Sequence, residues 1–327
     1  MSEQTKIAEV SSPKRGGRGC LRWLGAAVAL VLGLILAGTI YESVSEAADI
    51  QAYPPPGQMV DVGGYRLHIN CTGTGSPTVV IESGWGDSSA AWGWVQPEIA
   101  KTNRICTYDR AGMGWSEPSP EPRTAREYAQ ELHTLLANAN EPGPYVLVGH
   151  SMGGFTVIVY AHYYPEQVSG LVLVDSQALP KPNVATPDPA PKPGVTSSIP
   201  GLIARIGIMR VLAGPLGSIQ NLPEGDKQAY TAFSVTPRST QTQLEEFIGM
   251  SEGGAQARAV TTLGALPLIV LSRGKEQDAD WAASQAGFVH LSTNSQQLFA
   301  DQSGHRIMID QPEAAVAAIV KMVQQVR

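Results

Sequence analysis

The stretch Tyr145–Gly154, YVLVGHSMGG, contains a strand, a sharp turn and the start of a helix. Its apolar first residues predict a buried strand, and FTVIVYAHYY at Phe155–Tyr164 predicts a helix that follows at once. Such a turn leaves little room for side chains, which explains Gly149 and Gly153. Ser151 lies at the apex, beside a helix N-terminus, where its hydroxyl group is held in position to act as a nucleophile.

Strand and helix signals alternate on both sides of this turn. Apolar runs predict strands, and apolar residues at helical spacing predict helices. The predicted strands are Thr78–Glu82, Arg104–Asp109, Gly170–Asp175 and Leu266–Leu271, with a hairpin over Gln58–Cys71, and the clearest helices are Thr124–Ala139 and Pro312–Val326. This alternation predicts a mostly parallel sheet with helices on both faces.

The alternation stops after Asp175. Residues 176–262 are first rich in proline and then contain helix-like stretches, which predicts a cap inserted into a core formed by residues 58–175 and 263–327. The chain of 327 residues has a net charge of −6 and no basic cluster in its globular part, which argues against a nucleic-acid partner. A small-molecule substrate is expected, and the sequence does not indicate the oligomeric state.

The N-terminal segment differs from the rest. Residues 1–22 are polar and basic, whereas Trp23–Tyr41 (WLGAAVALVLGLILAGTIY) contains no charge and is long enough to span a bilayer. The basic residues precede the apolar run, so a cytoplasmic N-terminus and an exported domain are predicted, joined by a Pro-rich linker over 42–57. The alternative is a signal peptide cleaved near Ser45-Glu46-Ala47, which would release a secreted domain.

From Gln58 to Arg327 the chain resembles the α/β-hydrolase family. Four stretches in the family's order carry the resemblance: Ser83-Gly84-Trp85 after a strand, YDRAGMGWS at Tyr108–Ser116, the Gly149–Gly153 turn, and Ser303-Gly304-His305 before the last helix. The resemblance implies an α/β fold with a mostly parallel eight-stranded sheet, helices on both faces and a cap inserted after strand six. It says little about the substrate, because this fold carries many reactions.

The resemblance also implies roles for individual residues. Ser151 would be the nucleophile and His305 the general base, while the backbone N–H groups of Met152 and Trp85 would bind the oxyanion. Asp109–Ser116 is expected to support the loop that contains Trp85. The remaining histidines are expected to be structural, namely His68, His133, His150, His162 and His290.

Two aspartates compete for the third position of the triad. Asp175 ends a rigid apolar strand 24 residues after Ser151, an arrangement seen in some members of the family. Asp278 follows Gly274 after the next core strand, but one residue later than the family's usual spacing and in a charged stretch. The rigid position favours Asp175, with Asp278 as the alternative.

The expected function is hydrolysis of an ester-type bond of a small molecule through an acyl-enzyme intermediate. The alternatives are an amide or peptide hydrolase resembling an aminopeptidase, a cofactor-free peroxidase on the same triad, and a non-catalytic binding protein of this fold. No cofactor is expected. No metal site is expected either, because the sequence has neither H-x-x-x-H nor C-x-x-C spacing.

The implied fold places two cysteines where they can form a disulfide. If Arg66–Cys71 and Arg104–Tyr108 are strands two and four of this fold, Cys71 and Cys106 lie in neighbouring strands, and an oxidising compartment permits a disulfide. Two buried free thiols are the alternative.

Overall fold

The structure, a computed structural model, describes residues 17–180, 189–190, 192, 199–216 and 221–327. It begins with one long helix, α1 (Gly17–Ala52), which is followed by the sheet and its flanking helices. Within α1, Leu21–Ala52 is long and apolar enough to cross a membrane, with a mean hydropathy of 2.3 in its most apolar window and none of that window buried. A membrane anchor and a signal sequence share these properties.

Eight strands form one sheet in the order β1-β2-β4-β3-β5-β6-β7-β8. Their bounds are β1 Gln58–Asp61, β2 Arg66–Thr72, β3 Thr78–Glu82, β4 Ile105–Tyr108, β5 Tyr145–His150, β6 Val168–Val174, β7 Leu268–Arg273 and β8 Ser295–Ala300. Strand β2 runs antiparallel to both of its neighbours, and every pair from β4 to β8 is parallel. The mostly parallel sheet predicted from the sequence is therefore confirmed.

Helices cover both faces of the sheet. They are α2 Gln96–Ala100, α3 Ala125–Asn138, α4 Gly153–Tyr163, α9 Ala279–Phe288, α10 Ile307–Asp310 and α11 Pro312–Val326. Alternate residues of β5 point to opposite sides: Leu147 packs in a core with α3 and α4, whereas Val146 and Val148 pack in a second core with α2 and α11. The central strands β3 and β5 are buried throughout and β6 at all but one residue, which explains their continuous apolar runs.

Among the described residues between β6 and β7 there are four helices, and we call them the inserted helices: α5 Ile199–Arg205, α6 Ile208–Leu216, α7 Glu224–Ser234 and α8 Pro237–Ala259. They fall within the stretch 176–262, for which the sequence predicted a cap. The residues of this stretch outside the described part of the chain are 181–188, 191, 193–198 and 217–220.

Helix α1 continues beyond the predicted span. The sequence predicted a helix over 23–41 and a linker over 42–57, but the helix runs on to Ala52. The added turns contain no Gly or Pro, and the helix ends just before Pro54 because proline disfavours helical geometry in the residue before it. The linker is thus confined to a few residues before β1, and most of the predicted basic segment 1–22 lies outside the described residues.

The two cysteines for which a disulfide was considered lie opposite each other. Register pairs Cys71 of β2 with Cys106 of β4, and the structure joins them in a disulfide. Among the described residues, Glu141 lies close enough to these two sulfur atoms for the three side chains to resemble a metal-binding site. The Glu141 carboxylate, however, forms an ion pair with Arg104. With both sulfur atoms bonded to each other, neither is a thiolate that could bind a metal ion.

Candidate active site

Ser151 lies in the tight turn between β5 and α4. Its φ of 51° is in the left-handed region, which is costly for a residue with a side chain, and its N–H donates to Val174 O at 3.2 Å. The flanking glycines are needed for close packing: a Cβ on Gly149 would lie 2.7 Å from Gly153 O, and one on Gly153 would lie 2.5 Å from Glu82 O. The turn therefore depends on both glycines and holds the serine in one orientation.

His305 lies between Ser151 and Asp175. Its Nε2 is 2.9 Å from Ser151 Oγ, and its Nδ1 is 2.6 Å from Asp175 Oδ2. The three residues follow the ends of β5, β6 and β8, which lie at the same edge of the parallel sheet. Asp175 is fully buried, whereas the His305 side chain is 34% exposed, so the chain of hydrogen bonds runs from the interior to an accessible imidazole.

Asp175 is held by several donors. Its Oδ1 accepts from Trp281 Nε1 at 2.9 Å and from the Arg273 backbone N–H at 3.3 Å, and Arg273 Nη1 lies 3.4 Å from Oδ2. Asp278 has a different environment: its carboxylate accepts from the Trp281 backbone N–H at 2.7 Å and caps α9. The structure therefore places Asp175, and not Asp278, against His305.

The two residues expected to bind an oxyanion flank Ser151. Met152 precedes the first turn of α4, where backbone N–H groups have no partner within the helix. The loop after β3 approaches from the other side, since a Cβ on Gly84 would lie 3.2 Å from Ser151 Cβ. Trp85 follows Gly84, and its indole N–H donates to Gln243 O of α8 at 2.8 Å.

A buried ion network fixes the loop that contains Trp85. Arg110 donates to the backbone oxygens of Ser83 and Gly84, each at 2.6 Å, and pairs with Glu82 and Glu246, each at 2.7 Å. Glu246 belongs to α8, and its other oxygen accepts the N–H of Gly86 at 2.9 Å. Burial raises the pKa of Glu82, although Arg110 and Tyr108 beside it favour the ionised form. The inserted helices thus supply part of the support of this loop.

The sequence indicated the stretch Asp109–Ser116, which includes Arg110, as support for this loop but did not identify the two acids that pair with Arg110. Glu82 ends an apolar strand, where its carboxylate is buried. A buried acid requires a charged or hydrogen-bonding partner, so this position could have indicated a pair with Arg110. Glu246 carried no such signal, since it lies 136 residues from Arg110 in a helix with many polar residues. Trp281 and Arg273, which hold Asp175, were also missed.

His150, expected to be structural, contacts the catalytic candidate. Its Nε2 is 2.9 Å from the His305 backbone oxygen. Burial, with His305 nearby, lowers the pKa of His150 to about 4, so the ring is neutral at pH 7 and can donate this hydrogen bond. Its Nδ1 lies 4.0 Å from Asp87, which binds Tyr230 and Arg306. This packing positions the backbone of His305.

His68 illustrates a structural histidine. It is buried in β2, and its Nδ1 is 2.9 Å from Asp109 Oδ2. Burial alone would raise the pKa of Asp109, but the hydrogen bonds from His68 and from two backbone N–H groups outweigh this effect and lower it. Asp109 thereby anchors the turn that leads to Arg110. The other predicted structural histidines, His133, His162 and His290, lie on α3, α4 and a 3₁₀ turn after α9.

Comparison with known proteins agrees with this architecture. A family model described as the alpha/beta hydrolase fold matches residues 77–198. The chain is 27% identical to YqjL of Bacillus subtilis over 255 residues, which are 76% of this chain and 83% of that protein. It is 36% identical over 126 residues to efuK, a probable transporter of Hormonema carpetanum, but the match covers 36% of this chain and 18% of efuK.

A solved structure shares the fold. That of the epoxide hydrolase CorEH is 20% identical in sequence, with a TM-score of 0.64, and the match covers 83% of this chain and 99% of that chain. At this identity the likeness concerns the fold alone. The sheet order, the turn at Ser151 and the matching family model lead to one assignment: the chain has the α/β-hydrolase fold.

Proposed function

We propose that this protein is a serine hydrolase that cleaves an ester-type bond of a small molecule through an acyl-enzyme intermediate. The hydrogen-bonded series Ser151–His305–Asp175 is the observation that carries the proposal. The serine also distinguishes this chain from family members that use an aspartate nucleophile, as epoxide hydrolases and dehalogenases do.

The first half of the reaction forms the acyl-enzyme. His305 Nε2 takes the proton of Ser151 Oγ as this oxygen attacks the carbonyl carbon, and the carbonyl π electrons move to the oxygen. The backbone N–H groups of Met152 and Trp85 would stabilise this oxyanion. When the carbonyl re-forms, the bond to the leaving oxygen breaks, and His305 gives its proton to that oxygen, which leaves as an alcohol.

The second half releases the acid. Water gives a proton to His305 Nε2 and attacks the acyl carbon, and collapse of the second oxyanion breaks the bond to Ser151 Oγ, which recovers the proton. Asp175 orients the imidazole so that Nδ1 carries a proton and Nε2 is free to accept one. One ester and one water thus yield one alcohol and one acid.

We also propose that α1 anchors the enzyme in a membrane with its catalytic domain outside the cytoplasm. Every residue from Leu21 to Ala37 is exposed, so this part of α1 protrudes from the domain as an apolar rod. The rod is long enough to cross most of a hydrocarbon core, and the basic residues before it favour a cytoplasmic N-terminus. A secreted form after signal cleavage is the alternative.

The first test is the intact mass of the full chain, purified from the membrane fraction, before and after reaction with a fluorophosphonate. The wild-type protein is expected to gain one phosphonyl group with loss of fluoride, and Ser151→Ala none. Ser234→Ala is the matched control, because the Ser234 hydroxyl donates to the Thr231 carbonyl of its own helix, α7, at 3.3 Å. A folded wild type that gains no adduct would overturn the proposal in favour of a non-catalytic binding protein.

The starting mass and a substrate panel test the remaining parts. A mass that includes residues 1–45 shows that the anchor is retained, whereas loss of these residues shows cleavage. p-Nitrophenyl esters are expected to react faster than the matching p-nitroanilides, because p-nitrophenolate leaves without being protonated, whereas the nitrogen of p-nitroaniline needs a proton to leave. Faster cleavage of the anilides, or peracid formation exceeding hydrolysis, would support the amide hydrolase or the peroxidase instead.

A further inference from the structure

The second half of α1 lies on the domain, unlike the protruding first half. From Gly38 onwards one face of the helix loses solvent exposure at intervals of three to four residues, the helical spacing. The residues of this face are Gly38, Glu42, Ser45, Glu46 and Asp49. The change at Gly38 therefore marks the position along α1 at which the exported domain begins.

The contact at this point is with the turn between α5 and α6. A Cβ on Gly38 would lie 2.3 Å from Ile206 O, and a Cβ on Gly207 would lie 2.9 Å from Cδ1 of Tyr41, so the two backbones touch through glycines. One turn farther along α6, Arg210 pairs with Glu42 at 2.8 Å. Another pair, from Arg210 to Asp49, measures 2.5 Å. These contacts fix the position of α5 and α6 along the axis of α1, which we call their height.

That height coincides with the outer edge of the proposed span. At 1.5 Å per residue, Leu21–Tyr41 covers about 30 Å, the thickness of a hydrocarbon core. Gly38 then lies about 5 Å inside the outer edge. The turn at Ile206-Gly207, which touches Gly38, is placed at the boundary between lipid and water.

The two helices that meet at this turn expose apolar side chains. Five large apolar residues of α5 and α6 are between 41% and 72% exposed: Ile199, Leu202, Ile208, Val211 and Leu212. We call them the apolar cap surface. An exposed cluster of this kind is unusual on a water-soluble face and typical of an interaction site. Arg205, at the end of α5, is also exposed, and an arginine side chain beside the edge of a span is long enough to extend to the lipid phosphates.

We propose that the apolar cap surface is embedded in the outer interface of the same bilayer that α1 crosses. The inference rests on the proposed anchor and adds a second membrane contact to it. Lipid is the expected occupant because the surface is continuous with the span and held at interfacial height by Gly38, Gly207 and Arg210. Amphipathic helices that lie on a membrane place their apolar face in this zone of the bilayer.

Helix α8 connects the proposed lipid contact of α5 with the surroundings of Ser151. Helix α5 packs on α8, and α8 accepts the indole N–H of Trp85 and the backbone N–H of Gly86 beside Ser151. Only α5 would therefore separate the lipid from α8, the helix that supports the proposed oxyanion loop.

The test measures the membrane depth of single labels on the full chain. The protein carries Cys20→Ser to leave one reactive thiol, and an environment-sensitive fluorophore is attached at Leu202→Cys or Val211→Cys. Each labelled protein is reconstituted in phosphatidylcholine–phosphatidylglycerol vesicles. The fluorescence of each label is quenched in two separate experiments. One uses lipids that carry a nitroxide near the top of the acyl chain, and the other uses iodide dissolved in the water. Leu30→Cys reports on the span, and Phe299→Cys, an exposed apolar position on β8, is the matched control.

Labels at Leu202 and Val211 are expected to be quenched by the nitroxide lipid and protected from iodide several-fold better than the label at Phe299. Equal behaviour at all three positions, with Leu30 quenched by lipid, would overturn this inference and leave the anchor intact. If the label at Leu30 is also accessible to iodide, the anchor itself is refuted. Thermal unfolding of each labelled protein confirms that the label has not disrupted the fold.

Discussion

Replacement of Asp175 by asparagine is expected to abolish nearly all turnover while the fold is kept. Asp175 Oδ1 faces two donors, Trp281 Nε1 at 2.9 Å and the Arg273 N–H at 3.3 Å. An asparagine must therefore place its carbonyl oxygen there and turn its NH₂ group towards His305. That NH₂ donates to Nδ1, so the single proton of a neutral imidazole moves to Nε2.

This tautomer cannot act as a base. With a proton on Nε2, His305 donates to Ser151 Oγ across the 2.9 Å contact and cannot accept its proton. The loss of orientation and of the compensating charge is worth about 10⁴-fold in turnover, or about 5.5 kcal/mol in the activation barrier. The rates of phosphonylation and of p-nitrophenyl ester hydrolysis should fall together, since both need the same deprotonated serine.

Asp278→Asn is the matched control. Asp278 caps α9 through the Trp281 backbone N–H, and asparagine caps helices about as well as aspartate. Turnover and melting temperature should therefore stay close to those of the wild-type protein. If Asp278→Asn loses orders of magnitude while Asp175→Asn remains within about tenfold of wild type, our assignment of the acid is refuted.

Two further predictions concern the surroundings of the serine. The pKa of His150 is lowered from an ordinary 6.5 to about 4, so the unfolded chain binds a proton between these values that the folded protein does not. Acidification from pH 7 to pH 4 should then remove about 3 kcal/mol of stability. His150→Gln should lack this loss, as compared by urea unfolding in detergent; equal pH dependence would contradict the reasoning. Gly153→Ala should lower the melting temperature and slow phosphonylation, because its Cβ would meet the Glu82 and Ser83 carbonyls at 2.5 and 2.6 Å, whereas Gly287→Ala, with open space around it, should do neither.

The parts of the fold that depend on local pattern could be predicted from the sequence. The apolar run before Ser151 and the glycines around it specify a strand, a turn and a helix, and the observed β5 and α4 match these elements closely. The final helix, Pro312–Val326, matches its predicted bounds because apolar residues recur at helical spacing between a proline start and the chain end. Periodicity is a property of neighbouring residues, so no tertiary information is needed.

Other features depend on distant contacts and could not be predicted in this way. The sequence favoured Asp175 because it ends a rigid strand, but Asp278 stayed open as the alternative, since the decision depends on where Trp281 and Arg273 place their donors. The length of α1 was underestimated for a related reason. Its polar second half reads as a linker in isolation, but Arg210, more than 160 residues away, pairs with acids on that face.

The buried network around Arg110 bears on how substrate reaches Ser151. Arg110 is buried between Glu82 of the sheet and Glu246 of α8. Removing one partner from a buried ion pair costs about 3–5 kcal/mol, so lifting α8 away from the sheet would carry a penalty of this size. The same motion would break the bonds from α8 to Trp85 and Gly86. Helix α8 therefore belongs to the fixed architecture of the site, and any opening is expected in α5, α6 and α7, the first two of which carry the apolar cap surface.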